Sequence, residues 1–137
     1  MSSNLEMPAD WPYRAGMENV AEVAAALGDP TRLRILDLLV AGRAEACCSP
    51  ANPTAPAAVC ACDLAPVLGG MAPSKLAYHM GRLRKAGLVT EQRRGKWVYY
   101  SIDRRTVAAF ARSVTSRWSG RPRPRRPLRG SGSQPRP

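Results

Sequence analysis

The sequence predicts a mostly α-helical α+β domain with one β-hairpin, and three observations predict it. Apolar residues recur at helical spacing over two stretches, 17–41 and 63–86. The period then drops to two over 88–102, around a polar turn that contains glycine. A last helical stripe occupies 104–118. A chain of 137 residues leaves room for one domain, expected over 17–118, and two tails.

The elements follow in order. Residues 1–16 lack periodicity and are expected to form an N-terminal arm. Val20, Val23, Ala24 and Leu27 give the first helix its apolar stripe, and Gly28 ends it. Asp29-Pro30 supplies a cap and a first-turn proline for the second helix. Its stripe is Leu33, Leu36, Leu39 and Val40, widened by Ile35, and Gly42 closes it. Residues 43–59, with Pro50, Asn52, Pro53 and Pro56, have neither period and are expected to form a loop. A structureless loop of that length is functional or disordered, and its Cys47 and Cys48 favour function.

A short helix is expected over 63–68 with Leu64, Val67 and Leu68 inward, then a Gly69-Gly70 turn. Pro73 opens a longer helix to residue 85 or 86 with Leu76, Met80 and Leu83 inward. Short helix, glycine turn and longer helix make a helix-turn-helix. Strands over 88–92 and 97–102 flank Arg93-Arg94-Gly95-Lys96, which adds a wing. The expected fold is therefore a winged helix-turn-helix. Asp103 caps a last helix with Val107, Phe110, Ala111, Val114 and Trp118 on one side. Residues 119–137 are expected to be a disordered basic tail, since 121–137 holds six Arg, five Pro and no acid.

Charge narrows the function. Lys and Arg number 21 against 10 acids, a net charge of +11. Residues 1–72 carry four basic and eight acidic side chains, whereas 73–137 carry seventeen and two. A chain divided this sharply has a half that faces a polyanion. One histidine and few acids leave little for acid/base chemistry, so an enzyme is not expected. Residues 1–16 show no apolar leader, and no apolar run is long enough to span a bilayer. The expected setting is the reducing cytoplasm with no membrane partner, where cysteines act as ligands or redox thiols rather than as a disulfide framework.

On the longer helix Lys75, Tyr78, His79 and Arg82 fall at i, i+3, i+4 and i+7, with Ser74 in the first turn. Recognition helices meet base edges there, and these side chains suit bases and phosphates. Arg93, Arg94 and Lys96 at the hairpin tip are placed to follow the backbone or a neighbouring minor groove. The expected partner is double-stranded DNA.

Over roughly residues 18–118 the chain resembles the ArsR/SmtB metalloregulatory repressors. The resemblance rests on Ala26-Leu27-Gly28-Asp29-Pro30-Thr31-Arg32-Leu33-Arg34-Ile35-Leu36, Cys60-Ala61-Cys62-Asp63-Leu64, Ser74-Lys75-Leu76-Ala77-Tyr78-His79-Met80, Leu83-Arg84-Lys85-Ala86-Gly87-Leu88-Val89 and Arg94-Gly95-Lys96-Trp97-Val98-Tyr99-Tyr100. It implies a homodimer, paired through its first and last helices, that represses an operator and releases it on binding a toxic metal or metalloid. Cys60-Ala61-Cys62 is similar to the Cys-x-Cys box of the arsenic and cadmium/lead types.

Thiolates suit soft ions. On a regular helix two residues at i, i+2 lie about 200° apart, so a shared ion is expected to unwind the helix start. The commonest arsenic box adds a cysteine three residues after the second, where this chain has Ala65. Cadmium-type members use N-terminal cysteines, and none precedes Cys47. The further ligand is therefore expected from Cys47 or Cys48, twelve or thirteen positions before Cys60 along a spacer spanning roughly 17–21 Å. As(III) or Sb(III) needs three thiolates, whereas Cd(II) or Pb(II) can use all four of Cys47, Cys48, Cys60 and Cys62. A thiol-redox switch or a structural zinc site would use the same residues. The family's other metal site, on the last helix, needs His and carboxylates, and 104–118 has none.

Overall fold

Two aspartates set two of the helix starts. Asp29 accepts hydrogen bonds from the backbone N–H of Thr31 (2.7 Å) and Arg32 (3.4 Å), and Asp103 accepts from that of Arg105 (3.0 Å). Prolines open α2 and α4 in the first turn, where no intrahelical N–H is required. The computed structural model describes residues 17–43, 49–120 and 122. The arm expected over 1–16, the cysteines Cys47 and Cys48, and nearly all of the basic tail lie outside the described residues.

The elements run α1 (Met17–Leu27), α2 (Pro30–Ala41), β1 (Val59–Cys60), α3 (Ala61–Val67), α4 (Pro73–Lys85), β2 (Val89–Arg94), β3 (Trp97–Ile102) and α5 (Arg104–Trp118). Helices and hairpin stand where the pattern puts them, except that α3 begins at Ala61, two residues before its expected start, and so takes in Cys62. Two differences matter. The first hairpin strand runs to Arg94, so the turn is only Gly95 and Lys96, with Gly95 at φ +62 where a side chain is disfavoured. The second is β1, which begins at the last residue of the expected loop and pairs antiparallel with β3 to give the order β1-β3-β2.

The register sorts side chains to two faces. Val59 lies opposite Tyr100, and Tyr100 opposite Glu91; Cys60 lies opposite Tyr99, and Tyr99 opposite Gln92. Alternation along a strand sends these two rows to opposite sides of the sheet. The inner row faces the helices and joins the main core with Ile35, Leu64, Met80 and Leu83. The outer row forms a separate small core of Ala58, Cys60 and Tyr99, with Ala55, Cys62 and Trp97 against it.

Several apolar stripes are rotated from their expected positions. The buried face of α2 is Arg32, Ile35 and Leu39, while Leu33 (47%) and Val40 (66%) are exposed. Counting Arg32 as a solvated cation moves the apparent stripe by one position. In the same way Ala24 and Val67 lie outward, and Ala26 and Leu64 carry the burial. No residue of α5 is buried, and its Val107 and Trp118 are exposed.

Candidate thiol site and nucleic-acid interface

Cys60 ends β1 and caps α3 in an extended conformation (φ −78, ψ 147), whereas Cys62 stands in the first turn of α3. The boundary between strand and helix therefore passes between them. Their sulfur atoms come within 3.1 Å, and both are free thiols. The expected separation of about 200° would hold only if both residues were helical. Unwinding is not needed to bring this pair together.

Cys60 is buried and Cys62 half-buried. Burial raises the Cys60 pKa, but hydrogen bonds from the Cys62 backbone N–H and thiol, the Ser49 hydroxyl and the Val98 N–H outweigh it. The thiol is left below its ordinary value, which favours the thiolate that binds soft ions. Ser49 is in turn held by Arg43, whose guanidinium donates to its hydroxyl (3.2 Å) and its carbonyl. Among the described residues no group of three His, Cys, Asp or Glu is placed to hold an ion.

The loop after Ser49 is fastened to the outer face of the sheet. The Tyr99 hydroxyl donates to the Pro50 carbonyl (2.5 Å). Asn52, with no exposed surface, donates through Nδ2 to Gln92 Oε1 (2.7 Å) and accepts from the Thr54 N–H (3.1 Å) and hydroxyl (3.0 Å). Neither Ser49 nor Asn52 stands out in the sequence, because Cys60 and Gln92, the partners that tie them to the sheet, are eleven and forty positions away.

On α4, Ser74, Lys75 and Tyr78 are exposed and Arg82 is half-buried, its Nη1 donating to the Tyr78 hydroxyl (3.4 Å). Arg94 and Lys96 are exposed at the hairpin, with Lys96 Nζ 4.8 Å from the Trp97 ring centre. Arg93 is exposed but ion-paired with Glu91 (3.4 Å), which also pairs with Arg84 of α4 and so ties hairpin to helix.

His79 is a correction. It is buried, and its Nδ1 meets Arg32 Nη1 at 3.0 Å, so it belongs to the packing of α4 on α2 and not to the exposed face. Arg32, itself buried, also donates through Nε to the Ala26 carbonyl (2.7 Å). The burial of Arg32 was detectable, since residues 32, 35 and 39 share a helical stripe.

The chain matches the family model of a helix-turn-helix domain over residues 27–92. It is 34% identical over 89 residues to an uncharacterized HTH-type transcriptional regulator of Methanocaldococcus jannaschii, covering 64% of this chain and 83% of that protein. It is 33% identical over 60 residues to the arsenical resistance operon repressor of Escherichia coli, covering 44% of this chain and half (50%) of that protein's length. Its fold superposes on the solution structure of a homodimeric winged helix-turn-helix DNA-binding domain from Mycobacterium bovis, described as a possible ArsR-family regulator. The TM-score is 0.56 at 23% identity, with 88% of this chain and 100% of that one covered.

Proposed function

The chain belongs to the ArsR-type winged-helix transcriptional repressors, DNA-binding regulators rather than enzymes, and we propose that it is a dimeric repressor released from its operator by As(III) or Sb(III). The observation that carries this reading is the pair of free sulfurs at Cys60 and Cys62, 3.1 Å apart, the first held toward its thiolate form. The third thiolate comes from Cys48 or Cys47. Cys48 immediately precedes Ser49, whose hydroxyl bonds Cys60, and one residue step is about 3.8 Å. The reaction is an exchange. Three thiol protons leave with the three hydroxides of arsenous acid as water, three As–S bonds replace three As–O bonds, and arsenic remains trivalent. Cadmium or lead held by all four thiolates is the competing inducer, and the sulfur contact would also serve an oxidant.

DNA is read by Ser74, Lys75, Tyr78 and Arg82 on α4, with Arg93, Arg94 and Lys96 on the flanking backbone. An α5 without a buried residue, carrying Val107, Phe110, Val114 and Trp118, supports pairing with a second copy. Among the described residues no helix is long and apolar enough to cross a membrane, and a thiol-based DNA regulator belongs in the cytoplasm.

Moving a repressor from 99% bound to 99% free requires a preference of about 5.5 kcal/mol for the released state, within reach of several As–S bonds. The test follows operator release while reduced protein is titrated with arsenite, antimonite and cadmium. Cys60→Ser and Cys62→Ser should bind the operator and fail to release it. Release of a double variant lacking both cysteines at the wild-type arsenite concentration would sink the proposal.

A further inference from the structure

We propose that inducer binding at Cys60 and Cys62 is relayed to the DNA-facing hairpin across the outer face of the sheet, with Tyr99 and Gln92 as the positioning residues. This rests on the inducer reading above and adds the route by which it reaches DNA.

The cysteines belong structurally to the wing. Cys60 and Tyr99 are two of the three buried members of the small outer core, and Cys62 and Trp97 pack on the same core. Cys60 lies opposite Tyr99, two residues along β3 from Trp97. Trp97 in turn lies opposite Arg94 and under Lys96, the two cations nearest the turn. Cys60 is thus paired with a residue three positions along β3 from Lys96 at the hairpin tip. The main core meets α3 through Leu64, with Ala61 and Leu68 at its edge, and neither cysteine joins it.

The loop closes this face with directional bonds. Tyr99 holds Pro50, and Gln92 holds Asn52 and Thr54 (3.2 Å from the Thr54 hydroxyl). Binding arsenic removes the proton of the Cys62 thiol and so ends its hydrogen bond to Cys60 (3.1 Å), and both sulfurs shift to fit the ion. The outer core has only three buried residues, with Cys62 and Trp97 packed on it, so movement of the sulfurs bears on Tyr99 and Trp97. Tyr99 and Gln92 join loop and strand, so they convert it into movement of β3 and the tip.

The experiment uses the full chain bound to an operator duplex. In a Trp11→Phe/Trp118→Phe background Trp97 is the one remaining indole, and arsenite is titrated while its emission and operator release are followed together. The two signals should share one midpoint. Gln92→Ala and Tyr99→Phe should bind arsenite and free operator as the parent does. Their arsenite-induced loss of operator affinity should be smaller by about threefold to tenfold, the worth of one hydrogen bond. Gln92→Glu, which keeps an acceptor for Asn52, should restore it. Gln92 is exposed, so its variant opens no cavity in either core, and Gln92→Glu controls for the Asn52 amide that Gln92→Ala leaves unpaired. Full release with Trp97 emission unchanged, or parental release in both variants, overturns the relay while leaving the inducer reading intact. If arsenite neither protects the thiols nor displaces the operator, the inducer reading fails and takes the relay with it.

Discussion

The inner and outer faces of the three-stranded sheet are closed by different kinds of interaction. On the inner side Val59, Val89 and Tyr100 press on Ile35, Leu64, Met80 and Leu83 in the main core. On the outer side the core has three buried members, and the loop is held over it by hydrogen bonds from Tyr99, Asn52 and Ser49. Apolar area resists small shifts because the loss spreads over many weak contacts. A directional bond is lost as soon as one partner is taken. Stability should therefore reside on the inner face, and responsiveness on the outer one.

The largest effect expected is on the inner face. Leu83 has no exposed surface, and Leu83→Ala should cost about 3 kcal/mol in urea unfolding. Tyr99→Phe, which keeps the ring and loses one hydrogen bond, should cost only about 1 kcal/mol. The folded Leu83→Ala protein should still be released by arsenite with its parental midpoint. Equal stability losses in the two variants would erase the contrast between the faces.

Next in size is Arg32, which acts within the helical frame. Its guanidinium serves the Ala26 carbonyl at the end of α1 and His79 Nδ1 on α4. Arg32→Ala leaves both acceptors buried without it and should cost about 2 kcal/mol. Operator affinity should fall as well, because α4 loses part of its seat on α2. Wild-type stability in Arg32→Ala would show that the contact with His79 contributes nothing.

What the sequence made legible is local. The ends of α2 and α5 follow from Asp29 and Asp103 and the neighbouring proline and glycine, and α4 from Pro73 and its apolar stripe. The Cys-x-Cys pair is likewise visible as spacing. What it hid depends on distant partners. β1 has two residues, too few to show a period, and exists because Tyr99 and Tyr100 lie some forty positions on. His79 is polar and at the spacing of the exposed face, and only Arg32, 47 positions away, makes it a core residue. The closeness of the two sulfurs is hidden because helical spacing applied to both cysteines sets them on opposite sides, whereas only Cys62 is helical. Nothing local marks the strand end that separates them.

The smallest expected effect is a pH dependence, and it belongs to the helical frame too. Burial raises the Asp29 pKa, but the N–H groups of Thr31 and Arg32 and the charge of Arg32 outweigh it and hold it below its ordinary value. A carboxyl whose folded pKa is lowered binds fewer protons when folded than when unfolded. Its stabilisation is complete above the unfolded value of about 3.9 and is lost as pH falls through the folded one. Asp29→Asn keeps an oxygen to cap α2 and removes the charge. Between pH 7 and pH 3 the parent should lose more stability than this variant, with the difference confined to the acid end. Parallel curves would mean that the Asp29 charge does not couple to folding. The same titration sharpens the comparison of faces, because Asp29 touches Arg32 (3.9 Å) and has no bond to the outer row. While the protein stays folded, Trp97 emission should be flat through the window in which Asp29 takes up its proton.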